Sequence, residues 1–223
     1  MSEPIKVDIW SDIACPWCYI GKRKFEAGSG LFAGAGDSRG VVVEYHSYEL
    51  SPDTPVDFDG SEIDYLAGHK GIPATQVQPM LERVTGIAAM VGLEYDFDAL
   101  KHTNTVKAHE LLHYAKAHGR QLEMAERLFS AYFVEGRHVG RVDDLADLAA
   151  EIGLDRGDVL RALEAEEYLS DVRADQSTAS EYGIQGVPFF VIDGRYGVSG
   201  AQEAATFAQV LEQVWSEKSA VTA

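Results

Sequence analysis

Cys15-Pro16-Trp17-Cys18 holds the only two cysteines of the 223-residue chain. An apolar, strand-like run precedes it (Ile5, Val7, Ile9, Trp10), and a helix-permissive segment, Tyr19 to Ala27, follows. This order places the first thiol at the start of a helix. Unpaired backbone N–H groups and the positive end of the helix dipole favour a thiolate there. Cys18 lies one turn later, where it can resolve a mixed disulfide formed at Cys15. Pro16 suits the first helical turn, where a missing N–H leaves no hydrogen bond unmade. The spacing predicts thiol–disulfide exchange.

Two plainer readings compete. Structural zinc takes four ligands, and with no further cysteine the best additional candidates are His109 and His113, four apart on one helix face. No metal is expected, and these histidines read as partly buried helix residues. Inert core cysteines are the other alternative, since free Cys is often buried. Burial alone gives no reason to flank Pro-Trp directly after a strand.

A second signal lies far along the chain. Gly186-Val187-Pro188-Phe189-Phe190-Val191-Ile192-Asp193-Gly194-Arg195 reads as a loop, a strand and a tight turn. Asp193-Gly194 is a hairpin signature, with Tyr196-Gly197-Val198 as the return strand. Proline is tolerated at a strand's first residue because no ladder donor is needed there.

Together these stretches resemble the DsbA family, in its FrnE-like, cytoplasmic branch. Asp12-Ile13-Ala14-Cys15-Pro16-Trp17-Cys18-Tyr19-Ile20-Gly21 carries the likeness, with Tyr48-Glu49-Leu50-Ser51-Pro52 and Ser199-Gly200-Ala201-Gln202. The resemblance implies an α/β, thioredoxin-like fold over 1–55 and 183–223, interrupted by an all-helical insertion over 56–182. It implies Cys15 as nucleophile, Cys18 as resolving thiol, and a cis-proline loop at Val187 and Pro188 that holds an extended client or glutathione. Relatives that bind glutathione place an Asn in the site, which makes Asn104 the corresponding candidate; Asn104 also suits a helix cap. Two departures matter. Trp17 stands where periplasmic oxidants of the family carry His, which argues against strong oxidising power. The second, C-terminal cysteine pair of some FrnE-like proteins is absent.

Composition bounds the function classes. A net charge of −17 argues against nucleic-acid and anionic-membrane binding. No apolar run approaches the ~18 residues of a membrane span. Met1-Ser2-Glu3-Pro4 lacks secretory features, and the scarcity of cysteine suits a reducing compartment, so a cytoplasmic location is expected.

Periodicity organises the rest. Strands are expected at Ile5–Trp10 and Val41–Tyr48, parallel through a right-handed crossover. Ala27 to Gly40 reads as a Gly/Ala/Ser-rich loop (Gly34, Gly36, Asp37, Ser38). From about Gly60 to Tyr182 the pattern is helical, with helices at 76–91, 106–118, 122–135, 143–152, 155–166 and 168–182. The last helix is expected over 201–217, with Ser199 as its cap. A helical cap beside a thiol makes a selective cleft.

Asp12 and Glu49 are the candidates for proton transfer, with Asp12 read equally as the holder of the turn after the first strand. The expected activity is disulfide exchange with protein clients or small thiols, glutathione being the co-substrate and no cofactor being bound. The alternatives are a glutathione-dependent transferase or isomerase of the kappa-class or hydroxychromene-carboxylate isomerase type, and a chaperone-like binder. Retention of both cysteines argues against the former. Monomer and homodimer both remain open.

Overall fold

The computed structural model describes residues 3–34 and 39–222, so Gly36, Asp37 and Ser38 of the expected loop lie outside it. Strand β1 (Ile5–Ser11) pairs in parallel with β2 (Val41–Ser47), from Ile5 opposite Val41 to Ser11 opposite Ser47. On its other side β1 runs antiparallel to β3 (Phe189–Ile192), and β4 (Tyr196–Ser199) closes the order β2-β1-β3-β4. Helix α1 (Pro16–Ala33) connects β1 to β2. Among the described residues, seven helices stand between β2 and β3: α2 (Glu62–Lys70), α3 (Ala74–Ala89), α4 (Val106–Ala117), α5 (Gln121–Phe133), α6 (Val142–Glu151), α7 (Arg156–Glu164) and α8 (Leu169–Glu181). Helix α9 (Ala204–Thr222) ends the fold. The chain is thus the expected α/β sheet with a helical insertion.

Ile5, Val7 and Ile9 alternate onto one face of β1 and are buried. Phe25 of α1 and Phe207 of α9 cover that face, each ring in contact with Phe190 of β3. The same packing corrects the expected loop. Helix α1 runs on to Ala33 because Gly28 lets α9 approach: a β-carbon there would lie 2.6 Å from the Ala204 carbonyl oxygen and 2.7 Å from Phe207 Cβ. Phe32, one turn further, is buried edge-on against Trp215. Tertiary contact outweighs the weak helix propensity of the glycines.

The hairpin turn forms as its residues dictate, with Asp193 at φ 54° and Gly194 at φ 65°. Ser199 is not a helix cap. It pairs with Phe189 in the β3–β4 ladder, Gly200 breaks the chain direction at φ 79°, and α9 starts only at Ala204. Helix α2 has little apolar periodicity. Its start is written instead as a reciprocal cap, in which Ser61 Oγ accepts from Asp64 N–H and the Asp64 carboxylate accepts from Ser61 N–H at 2.9 Å.

The insertion is joined to the sheet by buried polar contacts. Gln121 of α5 acts as a surrogate strand for the edge of β2, donating to the Tyr45 carbonyl at 2.8 Å and accepting from its N–H at 3.0 Å. Glu126 accepts from Tyr19 Oη and from Lys22 Nζ of α1, both at 2.6 Å. On the second face of the sheet, His46 bonds Asp175 of α8 at 2.7 Å and Asp8 of β1 at 2.8 Å. Trp10 stacks on the His46 ring and donates its indole N–H to the Asp175 carbonyl.

Burial pulls the His46 pKa down, but the hydrogen bonds and charges of Asp175 and Asp8, with the charge of Glu44, raise it to about 9. Asp175 shifts the other way: burial raises it, and His113, His46 and the Ser47 N–H hold it well below the carboxylate range. The histidine's contribution is complete below its unfolded pKa of ~6.5 and is lost as pH rises through about 9. The aspartate's contribution is present above ~3.9 and lost as pH falls. In thermal melts, the stability gap between wild type and His46→Gln is therefore expected to be widest near pH 6. It should narrow by about 2 kcal/mol, or roughly 4–8 °C, by pH 10. A gap independent of pH would contradict the charged-histidine assignment.

Candidate active site

Cys15 is the residue before the first turn of α1, with extended backbone (φ −91°, ψ 112°), and Pro16 fills the next position. The Cys15 N–H donates to the Asp12 carbonyl at 3.1 Å, and the Cys18 N–H donates to the Cys15 carbonyl at 3.0 Å. These bonds close the turn that carries the two thiols side by side. Both are unbridged and buried, at 5% and 2% exposure. The Cys15 thiol contacts the Val187 carbonyl oxygen at 3.6 Å. The Val187–Pro188 peptide is cis.

The approach of that loop depends on Gly21. A β-carbon at position 21 would lie 2.9 Å from Pro188 Cγ and 3.5 Å from Ala201 Cβ. Trp17 is 39% exposed beside the thiols and forms an apolar rim. From the insertion, Tyr95 donates its hydroxyl to the Pro16 carbonyl at 2.8 Å. The helix that presents the cysteines is thereby held from both parts of the fold.

Burial pushes the Cys18 thiol well above its ordinary range, and the adjoining Cys15 adds to this. Ser11 and the Asp12 backbone act the other way. The Ser11 hydroxyl, 3% exposed at the end of β1, lies against Cys18 and has no other partner. Sequence reading passed over this residue. Its signal is a hydroxyl at the last position of an otherwise buried strand end, immediately before the cysteine turn.

Asp12 is fully enclosed. Its Oδ1 accepts from Ala14 N–H at 3.2 Å and its Oδ2 from Leu50 N–H at 2.7 Å, so one carboxylate ties the cysteine turn to the loop after β2. His109 of α4, also fully buried, places Nε2 3.4 Å from Oδ1. Burial would raise the Asp12 pKa, but His109, Leu50 N–H and Thr105 bring it below the usual value. The other candidates are engaged by partners of their own. Glu49 is held by Arg173 and by Gln176 of α8 at 2.7 Å. Asn104 accepts from Val106 N–H at 2.9 Å, at the start of α4, and donates to the Pro52 carbonyl at 2.9 Å. His113 contacts Asp175 at 3.0 Å.

Asp8, Glu44 and His46 are the group that brings three ligand atoms close enough to share a cation among the described residues. Lys6 already bridges the two carboxylates at 2.8 and 3.2 Å, and His46 is bonded on both nitrogens. This is a closed ion-pair network on the sheet, apart from the cysteines.

A cleft of about 310 Å³ opens beside Cys15, between the start of α1, the loop after β2, and helices α2 and α3. Its walls are mainly apolar, and Asp12, Pro16 and Trp17 reach it as well.

The match with known proteins agrees with this geometry. Residues 6–212 fit the family model of the DSBA-like thioredoxin domain, and the chain belongs to that family. It is 30% identical over 216 residues to the uncharacterized protein YwbO of Bacillus subtilis, covering 96% of this chain and 99% of that one. The crystal structure of a probable DsbA oxidoreductase from Streptomyces coelicolor superposes with a TM-score of 0.87 at 39% identity, over 96% of this chain and 91% of that one. The cytosolic disulfide reductase DsbM of Pseudomonas aeruginosa, solved also with GSH, shares the fold. Its TM-score is 0.66 at 21% identity, with 94% and 98% of the two chains covered. A general oxidoreductase or isomerase role follows from the family.

Proposed function

We propose that this protein is a thiol–disulfide oxidoreductase that works through Cys15 and Cys18 in the reducing direction, on protein disulfides and on mixed disulfides with glutathione. The observation that carries the reading is the pair of thiols at the head of α1, with Cys15 against the Val187 carbonyl oxygen at 3.6 Å.

Cys15 thiolate attacks one sulfur of the client disulfide. A Cys15–client bond forms, the client S–S bond breaks, and the distal sulfur leaves as a thiolate that takes up a proton. Cys18 then loses its proton and attacks Cys15 Sγ. The Cys15–client bond breaks, and the departing client sulfur takes that proton. The client gains two electrons and two protons, and the protein is left with a Cys15–Cys18 disulfide that a low-molecular-weight thiol reduces. The half-buried Val187 main chain offers an extended client a hydrogen-bonding partner.

Reduction is favoured because burial opposes ionisation of Cys18. Strong oxidants of this chemistry gain their power from a stabilised thiolate in the reduced form. Here the Cys15 thiol is positioned to donate to a carbonyl, Trp17 supplies no charge, and burial raises Cys18. Ser11 offsets part of that cost. Its hydroxyl, which has no other partner, donates to the Cys18 thiolate as it forms and so favours the resolving step. Asp12, its oxygens occupied by backbone N–H groups, serves as the turn's anchor. The economy of cysteine suits a reducing cytosol.

Three outcomes are expected. Cys18→Ser accumulates Cys15 mixed disulfides with glutathione or a peptide disulfide, seen by mass, whereas Cys15→Ser forms none; a Cys18→Ser protein without adducts would sink the scheme. Equilibration in graded glutathione buffers gives a potential near the ~−270 mV of thioredoxin, and a value near the ~−120 mV of DsbA would reverse the direction proposed. Ser11→Ala slows decay of the mixed disulfide roughly tenfold, the effect of losing about 1.4 kcal/mol, and leaves its formation rate unchanged. Equal slowing of both steps would remove Ser11 from the resolving step.

A further inference from the structure

A client grasped along its backbone beside Val187 has no need of an enclosed pocket, yet one adjoins Cys15. The residues that line the cleft come from the cysteine turn, the loop after β2 and the helical insertion, and Val187 and Pro188 are not among them. At about 310 Å³ it falls at the small end of the range of small-molecule sites. Leu66, Met80, Val84 and Phe97 supply apolar wall, with Trp17 at the mouth.

Polar side chains also line it, the carboxylates of Asp12 and Glu62 among them. His102 lines the cleft and is buried. Its Nδ1 is engaged by Glu62 at 2.8 Å, and Tyr65 stacks on its ring. Its Nε2 is buried with no hydrogen-bond partner. A buried ring nitrogen left open costs stability unless something meets it. Glu62 and Tyr65 fix the imidazole in the cleft wall. Lys70 and His69, both exposed at the end of α2, line the same cleft, and Lys70 puts a cation at its rim.

We infer that this cleft is the binding site for the small-molecule half of a mixed disulfide: a thiol with an apolar, aromatic-sized arm and a carboxylate. The inference rests on the exchange chemistry proposed above and specifies its substrate class. The sulfur sits at Cys15, the arm fills the cleft, one polar atom meets His102 Nε2, and the carboxylate faces Lys70. The acidic surface repels anions in general, so selection of one depends on this local charge.

The test uses the reduced protein and three disulfides: dithiobis-nitrobenzoate (aromatic, anionic), dithiodipyridine (aromatic, without a carboxylate) and hydroxyethyl disulfide (neither). Each rate is measured in a single turnover and divided by the rate with a free thiol under the same conditions. The rate with dithiobis-nitrobenzoate is expected to saturate with concentration. Met80→Trp, which fills the cleft, is expected to lower the aromatic rates at least tenfold more than the hydroxyethyl disulfide rate. Val84→Phe does the same should the tryptophan variant fail to fold. Lys70→Gln is expected to lower the dithiobis-nitrobenzoate rate several-fold relative to dithiodipyridine. Equal effects on all three disulfides, or none, would overturn the cleft assignment and leave exchange standing. Failure of all three to react would overturn the exchange reading itself, and the cleft assignment with it.

Discussion

The candidate active site depends on the close contact between α1 and the loop that enters β3. That contact passes through position 21, where only a hydrogen fits beneath Pro188. It brings the head of α1 and the Val187 carbonyl within reach of one sulfur atom, although 172 positions separate Cys15 from Val187. Gly28 repeats the device two turns on, where α9 presses on the same helix. Close packing of this kind transmits small volume changes, so both glycines carry tight constraints with no chemistry of their own.

Around this contact the insertion works as a second jaw. Tyr95 reaches the Pro16 carbonyl, Glu126 gathers Tyr19, Lys22 and Arg23, and Gln121 occupies the edge of β2. Asp175 binds β2 through His46 and Ser47. These bonds span segments remote in sequence, and most are wholly or partly buried, where a lost partner leaves an unsatisfied group. The thiols are therefore presented by a rigid frame, and the cleft beside them inherits its shape from α2 and α3.

The acidic character of the chain fits the same arrangement. A net charge of −17 is spread over a surface whose cations are mostly engaged in ion pairs. Within the site, by contrast, charge is sparse. Asp12 is satisfied by backbone N–H groups and His109, and Cys18 is held neutral by burial.

Local chemistry made much of this legible in advance. The cysteine spacing, Pro16 at the first turn, the Asp193-Gly194 hairpin and the β-branched run of β2 each specify their own backbone, because a turn or strand is decided by a few adjacent side chains. Helices α3 to α8 declared themselves by period. Three features lay beyond such reading. Helix α1 continues through Gly28 and Gly30 because α9 covers it; Ser199 belongs to a ladder because Phe189 lies opposite; Ser11 matters because Cys18 lies against it. Asn104 likewise reads as a cap or a ligand until Pro52 is placed beside it. The sequence alone determined the order of elements and the two thiols, since adjacent residues carry that information. Only the tertiary structure decided which helix lengthens, which hydroxyl is orphaned and where a cleft opens, since those depend on distant surfaces brought to van der Waals contact.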